Sequence, residues 1–317
     1  MRKSIITTLA LAACIFFAGN ASAKDTIRPD GTYRFATKDS CDLLLDLYLP
    51  ADGSETSIDG KTKPTIVFIF GGGFKSGKRD EVTYLEWFKE MTNRGYGIIS
   101  IDYRLGLKHA EMKGLRIIKL LHGAINLAVE DLFSAVSFII ENGEALGVDP
   151  ANLVLAGSSA GAITALQADY ELCNRTGLAS GLPEDFRFAG IMSFSGAVFT
   201  DNGAPGYARE PAPTLMLHGT RDKIVEYKQI WFFNYRFAGA DVLTSVFKKN
   251  SYNYNTLRYK ERGHEICISM MYNLKEQEAF LEHNVMGGEK RIIDSFIDDP
   301  SIPTPEWTRM KGTQIYD

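Results

Sequence analysis

Residues 147–162 of this 317-residue chain read GVDPANLVLAGSSAGA, and this stretch decides the fold. Its centre, NLVLA, is a continuous apolar run of strand length, and residues 160–172 have the composition of a helix. Between them, Gly157-Ser158-Ser159-Ala160-Gly161 has the form G-x-S-x-G. Glycines on both sides of a central serine permit a sharp strand-to-helix turn that exposes its hydroxyl. The pattern predicts that Ser159 is a nucleophile, whereas Ser158 occupies the variable position.

The same alternation of strand and helix recurs along the chain. Buried strands are predicted at residues 65–70, 97–102, 152–156, 189–194, 214–217 and 255–260, the last being the final strand. Helices are predicted from residue 82 to 91, from 127 to 140 and from 160 to 172. Residues 33–37 and 43–49 are typical of a hairpin at one edge of the sheet. This order predicts an α/β fold with a mostly parallel central sheet and helices on both faces.

No repeat or linker divides residues 24–317, so we expect a single domain with lid segments at residues 106–121 and 200–213. The first residues are a separate segment, because Arg2 and Lys3 precede an apolar run that ends before Ala21-Ser22-Ala23. This predicts a secretory signal peptide over residues 1–23 and a secreted or periplasmic protein. The apolar run is short for a transmembrane anchor. The alternative is a lipoprotein, because residues 11–14 (LAAC) resemble a lipoprotein box with Cys14 as the lipidated residue.

Composition argues against several classes of protein. The formal net charge of −4 is unsuited to nucleic acid, which requires a basic surface, so no nucleic-acid partner is expected. Cys41, Cys173 and Cys267 are too sparse for a disulfide framework, and one bridge or three separate thiols are both consistent with the sequence. The chain has no H-E-x-x-H and no paired C-x-x-C. No metal or organic cofactor is therefore expected.

A nucleophilic serine requires a base to accept its proton and a carboxylate to orient that base. His264 follows the final predicted strand, in the loop KERGHE, and is the predicted base. Asp222 follows the strand at residues 214–217 by a short turn and is the predicted acid. The alternative acids are Asp201 and Glu226. The remaining histidines are expected to be structural: His109, His122, His218 and His283.

Residues 68–80, FIFGGGFKSGKRD, are consistent with two kinds of loop. From Gly72 the pattern G-x-x-x-x-G-K-R approaches a nucleotide-binding P-loop, but Arg79 stands where that motif has a Ser or Thr to bind Mg²⁺. The three glycines also suit a loop whose backbone N–H groups hold the negative oxygen of an ester under attack. Lys75, Lys78 and Arg79 are expected to form a solvated rim.

Six motifs together resemble the α/β-hydrolase superfamily, in particular its carboxylesterase branch of hormone-sensitive-lipase-like, acetyl-xylan and feruloyl esterases. They are LDLYLP (45–50), FGGGFKSG (70–77), IDYRL (101–105), GVDPANLVLAGSSAGA (147–162), LHGTRDKIV (217–225) and RGHE (262–265). The resemblance spans residues 43–280. It implies a serine carboxylester hydrolase for short-chain or hydroxycinnamoyl esters attached to carbohydrate.

The resemblance also assigns the glycine run. It implies an oxyanion hole formed by the backbone N–H groups of Gly72, Gly73 and Ala160. The related enzymes usually have a histidine before the three glycines, and this chain has Phe70 there. Phenylalanine cannot form the hydrogen bonds of that histidine, so we expect packing to hold the loop.

Other functions remain as alternatives. A generic short-chain esterase would share every motif. A serine peptidase of the prolyl-oligopeptidase type would need a large gating domain, for which this chain is short. A non-catalytic hydrolase-fold binding module would be expected to lack one of the three triad residues. The expected partner is a small-molecule or polysaccharide-borne ester, with a membrane only if Cys14 is lipidated.

Overall fold

The computed structural model describes residues 26–111, 116–201 and 203–309. The signal peptide predicted over residues 1–23 and the alternative lipidation site Cys14 lie outside the described residues.

A nine-stranded sheet forms the centre of the molecule. The strands are β1 (Gly31–Lys38), β2 (Cys41–Tyr48), β3 (Ser57–Ile58), β4 (Lys61–Thr62), β5 (Thr65–Ile69), β6 (Gly97–Ile101), β7 (Leu153–Ser158), β8 (Gly190–Phe194), β9 (Ala197–Thr200), β10 (Thr214–Gly219), β11 (Gln229–Phe232), β12 (Tyr235–Gly239), β13 (Tyr254–Tyr259) and β14 (Ile292–Ile297). The strand order in the large sheet is β1-β2-β6-β5-β7-β8-β10-β13-β14. β1 and β2 are antiparallel, and the seven strands from β6 to β14 run parallel. The predicted parallel sheet with an edge hairpin is confirmed.

Helices cover both faces of this sheet. They are α1 (Val82–Asn93), α2 (Arg116–Leu146), α3 (Ala160–Asn174), α4 (Ala240–Lys249) and α5 (Leu274–Ala279). On one face the ring of Phe68 packs against the rings of Tyr84 and Trp87 in α1. The strands β5, β6, β7, β8 and β10 are buried along their whole length, as covered parallel strands must be.

The structure corrects three predictions about elements. β13 is not the final strand, because β14 adds to the edge of the sheet, where alternate residues such as Phe296 face solvent. α2 is much longer than residues 127–140. β9, β11 and β12 form a separate three-stranded sheet that the apolar pattern did not indicate.

The predicted lid at residues 200–213 is also wrong for residues 203–213. These residues pack against the second half of α3, where Asp169 accepts a hydrogen bond from the Ala212 N–H and Asn174 donates one to the Gly206 carbonyl. With a rise of about 1.5 Å per residue, Asn174 lies roughly 20 Å along the helix from Ser159. This segment therefore does not lie over the nucleophile.

α2 is long enough to cross a bilayer, and an 18-residue stretch within it has a mean hydropathy of 1.6. The core helix of a globular protein has the same properties, and α2 buries one face, including Ala128 and Leu132, in the hydrophobic core. Asp131 on that face is fully buried and forms a salt bridge with Arg104, in the loop after β6. This salt bridge fixes α2 to the carboxyl end of the parallel strands, where the glycine-rich loop after β5 also lies.

Asp169 is a carboxylic acid inside the core. It is 3% exposed, and its Oδ2 accepts a hydrogen bond of 3.1 Å from the Ala212 N–H. Burial raises the pKa of Asp169 to about 7, because a charged carboxylate loses its hydration there.

We predict that Asp169→Asn stabilises the protein above pH 7. Because the pKa of Asp169 is raised in the folded protein, the unfolded chain loses this proton at a lower pH than the folded protein does. The free energy of unfolding therefore falls as pH rises from about 4 to about 7. Asparagine keeps an oxygen acceptor for Ala212 and has no charge to bury. Urea unfolding should show an advantage for the variant that grows across this range to a few kcal/mol.

Exposed Asp185→Asn is the control for loss of one carboxylate. An advantage for Asp169→Asn that is constant from pH 4 to 8 would contradict the prediction.

Candidate active site

The G-x-S-x-G stretch forms a strained turn between β7 and α3. Ser159 has a φ of 51° and a ψ of −114°, a backbone conformation that residues with side chains rarely adopt. A Cβ atom on Gly157 would lie 2.2 Å from the Gly161 carbonyl oxygen, and one on Gly161 would lie 2.0 Å from that of Ile69. Both glycines are therefore required by close backbone contact. The Ser159 N–H donates a 2.9 Å hydrogen bond to the Phe194 carbonyl, which fixes the turn to β8.

The structure brings Ser159, His264 and Asp222 together. The Ser159 Oγ lies 2.8 Å from His264 Nε2, and His264 Nδ1 lies 2.7 Å from Asp222 Oδ2. Their exposed fractions are 8%, 3% and 1%. This is the geometry of a serine nucleophile, its general base and the carboxylate that orients the base.

Asp222 is held by more partners than the sequence indicated. Its Oδ1 accepts hydrogen bonds from the N–H groups of Ile224 and Val225, at 2.9 and 3.1 Å. His218 Nε2 lies 3.3 Å from Asp222 Oδ2 and donates to the Val225 carbonyl at 2.9 Å. Burial opposes the charge on Asp222, but His264 and the hydrogen bonds from His218 and His264 outweigh it and lower the pKa of Asp222. The carboxylate is therefore ionised across the physiological range.

The protonation of His264 follows from its partner. Burial lowers the pKa of its imidazole, but the charge of Asp222 outweighs burial and holds the pKa of His264 well above its usual value. An imidazolium is thus stabilised at this position. That is the state a base reaches after it accepts the serine proton.

The glycine-rich loop after β5 lies against the turn that carries Ser159. A Cβ atom on Gly71 would lie 3.0 Å from the Ser158 carbonyl oxygen, and one on Gly72 would lie 2.0 Å from the carbonyl oxygen of Ser76. Gly72 and Gly73 have φ values of 127° and 62°. The positive φ values favour glycine at both positions, and at Gly72 the close approach of the Ser76 carbonyl leaves no room for a side chain. The N–H of Ala160, at the first position of α3, has no partner within the helix by position.

Two tyrosines hold this loop by hydrogen bonds. The Tyr84 hydroxyl accepts from the Gly71 N–H at 3.1 Å, and the Tyr103 hydroxyl donates to the Phe70 carbonyl at 3.0 Å. The Phe70 ring also stacks on Tyr103, with ring centres 4.4 Å apart. The expectation that packing holds the loop is thus met only in part, because hydrogen bonds contribute as well.

Arg79 does not belong to a solvated rim. Its guanidinium forms salt bridges of 2.9 Å with Asp46 in β2 and with Asp102 after β6. It therefore secures the segment that follows the loop. Lys78, the residue at the P-loop lysine position, pairs at the surface with Asp80. These contacts favour the oxyanion interpretation of the glycine run over the P-loop interpretation.

The remaining candidates lie elsewhere. Among the other histidines, His109 is exposed, His122 stacks on Phe199, and His283 pairs with Glu289 at the surface. Of the alternative acids, Asp201 is exposed and Glu226 is half-buried, whereas Asp222 is the carboxylate that holds His264 Nδ1. The cysteines that the structure describes, Cys41, Cys173 and Cys267, are free thiols. Across residues 26–111, 116–201 and 203–309, no three His, Cys, Asp or Glu side chains are grouped as metal ligands would be.

Sequence reasoning missed two residues beside the triad. His218 was expected to be structural, yet it contacts the acid. Trp307, in a helical turn over Glu306–Arg309, lies edge to face with His264, with ring centres 6.2 Å apart, and is 38% exposed. No motif marked it, because a tryptophan 43 positions after the histidine has no characteristic spacing from it.

The fold and this site define an α/β-hydrolase with a Ser-His-Asp triad. Comparison with protein families agrees: a model described as BD-FAE matches residues 45–197, and a model described as Phospholipase/Carboxylesterase matches residues 124–282, half of the chain. The chain belongs to the carboxylesterase-type family of α/β-hydrolases.

Individual relatives match in part. Human carboxylesterase 5A is 29% identical over 133 residues, which are 41% of this chain and 20% of that protein. Secreted lipase 1 of Botryotinia fuckeliana (strain B05.10) is 33% identical over 103 residues, which are 32% of this chain and 17% of that protein. The chain thus spans about a fifth of the length of the curated relatives that it matches.

Among solved structures, esterase 2 of Thermogutta terrifontis is similar over its whole fold. The match covers 80% of this chain and 94% of that chain, with a TM-score of 0.59 and 19% sequence identity. It supports the α/β-hydrolase fold.

We predict that Ser159→Ala abolishes labelling by a fluorophosphonate probe, because the alanine has no hydroxyl to attack phosphorus. Ser158→Ala is the neighbouring control and should still be labelled at the end point, since the Ser159 hydroxyl and its base remain. Gel fluorescence after complete reaction measures both. Undiminished labelling of Ser159→Ala would show that another residue is the nucleophile.

We also predict how activity depends on pH. A general base must be neutral to accept a proton, so kcat/KM should fall as acid protonates His264, with a midpoint above the usual histidine value of about 6.5. Asp222→Asn removes the carboxylate that raises this pKa. The midpoint should move to lower pH and kcat should fall by on the order of 10⁴. A midpoint that stays unchanged in this variant would contradict the coupling.

Proposed function

We propose that the protein is a serine carboxylesterase. The observation that carries the proposal is the unbroken chain of hydrogen bonds from Ser159 through His264 to Asp222. A binding module without catalysis has no need of a serine on a strained turn beside a base with a stabilised charge. The matched carboxylesterase and lipase relatives support the same reaction class.

The geometry supports the following reaction. The Ser159 oxygen attacks the ester carbonyl carbon while His264 Nε2 accepts the hydroxyl proton, and ionised Asp222 stabilises the resulting imidazolium. The negative oxygen that forms is stabilised by backbone N–H groups, for which we propose Gly72, Gly73 and Ala160. His264 then donates the proton to the departing alcohol oxygen. Water, activated by the same histidine, releases the acid from Ser159.

For the substrate, we propose a short-chain or hydroxycinnamoyl ester attached to carbohydrate. The resemblance to acetyl-xylan and feruloyl esterases supports it, and so does Trp307, whose partly exposed indole beside His264 offers a flat face to an aromatic acid or a sugar. Structures of the Thermogutta esterase carry propionate and butyrate. Export, proposed from residues 1–23, would bring the enzyme to extracellular polysaccharide.

The proposal predicts a preference for short acyl chains. Among p-nitrophenyl esters, acetate and butyrate should be hydrolysed with a kcat/KM at least about tenfold above palmitate, because long-chain lipases need a broad apolar entrance. Feruloylated or acetylated xylan should release its acid, measured by chromatography, with Ser159→Ala as the blank. Trp307→Ala should raise KM several-fold for a feruloyl ester, whereas the exposed Trp231→Ala should not.

Two results would contradict the substrate proposal separately. Faster hydrolysis of palmitate than of acetate would refute the short-chain part. Hydrolysis of p-nitrophenyl acetate without release of acid from any polysaccharide would refute the carbohydrate part and leave a generic short-chain esterase.

A further inference from the structure

Two buried hydrogen bonds beside the triad join four segments of the chain in pairs. The Gly71 N–H donates to the Tyr84 hydroxyl at 3.1 Å, and the Ser158 hydroxyl donates to the Cys267 carbonyl at 2.8 Å. The two bonds lie side by side, because a Cβ atom on Gly71 would lie 3.1 Å from the Ser158 Oγ and 3.2 Å from the Tyr84 hydroxyl oxygen. Tyr84, Ser158 and Cys267 are at most 5% exposed, so water does not compete for these bonds.

The role of each hydroxyl is fixed by its partner. The Gly71 N–H can only donate and the Cys267 carbonyl can only accept, so Tyr84 accepts with its oxygen and Ser158 donates its proton. Both hydroxyl oxygens also lie against Gly71, in a close-packed interior where one segment cannot shift without displacing its neighbours.

Each of the two bonds adjoins a part of the catalytic machinery. Gly71 precedes Gly72 and Gly73, and Ser158 precedes Ser159. Cys267 lies three residues after His264, within the same helical turn over His264–Ile268. Tyr84 thus joins the glycine-rich loop to α1, and Ser158 joins the nucleophile turn to the histidine loop. The two pairs pack against each other at Gly71.

We propose that Tyr84 and Ser158 are positioning residues that hold these three segments in register for catalysis, in place of the histidine that related esterases have before the glycines. This inference rests on the proposed esterase function. It assigns a role to Ser158, which the motif alone leaves as a variable position.

The consequence for catalysis is specific. Substrate binding does not require the oxyanion donors in their final positions, but the tetrahedral state does. Displacement of the loop should therefore lower kcat and leave KM nearly unchanged. We expect Tyr84→Phe and Ser158→Ala each to lower kcat for p-nitrophenyl butyrate by about tenfold, since small misplacements of catalytic groups have effects of this order or larger.

The experiment uses the full chain and a matched control. Tyr96 is as buried as Tyr84, but its hydroxyl has no hydrogen-bond partner among the described residues, so Tyr96→Phe removes the same atom without breaking a bond. The second measurement is inhibition by a trifluoromethyl ketone, which forms a tetrahedral adduct with the serine. Its inhibition constant should rise about tenfold in Tyr84→Phe and Ser158→Ala and stay unchanged in Tyr96→Phe. Thermal unfolding tests whether each variant is folded.

The outcome that overturns the proposal is a loss of stability alone. Tyr84→Phe and Ser158→Ala variants that melt earlier than the wild-type protein, yet retain the kcat and inhibitor affinity of Tyr96→Phe, would show that the two hydroxyls stabilise the fold without positioning the catalytic groups. A wild-type protein that hydrolyses no ester would instead refute the proposed function.

Discussion

The structure depends on a contact between backbone atoms at the end of β7. The turn at Ser159 brings Gly157, Gly161 and Ile69 so close that a single added carbon at either glycine would overlap a carbonyl group. This contact sets the distance between β5, β7 and α3, and it forces Ser159 into a conformation that costs on the order of 1–3 kcal/mol. The neighbouring strands supply the compensation, since β7 is hydrogen-bonded on both sides, to β5 and β8, and is buried along its length. A strained serine is thus stable only within the completed sheet.

The electrostatics of the site depend on the same geometry. Asp222 and His264 are almost fully buried, where an isolated charge would be unstable. The carboxylate is tolerated because three N–H groups donate to it, those of Ile224, Val225 and the His264 ring. The Nε2 atom of His218 lies 3.3 Å from its Oδ2. These bonds remain in place while the proton of Ser159 moves, so little reorganisation accompanies the reaction. His218 therefore belongs to the support of the acid, although it contacts no substrate atom.

The sequence predicted the parts of the fold and site that carry strong local patterns. Buried parallel strands are continuous apolar runs, and β5, β6, β7, β8, β10 and β13 were found within a few residues of their observed bounds. β14 was missed because alternate residues of an edge strand face solvent. Ser159, Asp222 and His264 could be singled out because each follows a strand in a recognisable turn, and the structure brings the three side chains together. The roles of Tyr84 and Trp307 were missed because tertiary packing alone brings them to the site. Tyr84 lies inside α1, and Trp307 lies far along the chain from His264. The lid prediction was wrong for residues 203–213 because the polarity of a loop does not show which part of α3 the loop packs against.

Phe70 stands where related esterases usually have a histidine, and the hydroxyls of Tyr84 and Tyr103 anchor the loop instead. Tyrosine anchors suit a base-catalysed reaction. A histidine anchor beside the oxyanion loop could itself gain a proton near neutral pH, which would place a second titrating group next to His264. Tyrosine avoids this: burial raises the pKa of Tyr84 to about 12, so its hydroxyl keeps its proton throughout the range in which His264 changes state. Phe70 adds a stacked ring to Tyr103 and has no charge at any pH. The groups that anchor the loop therefore keep their protonation state across this range, and His264 is the triad residue that changes state there.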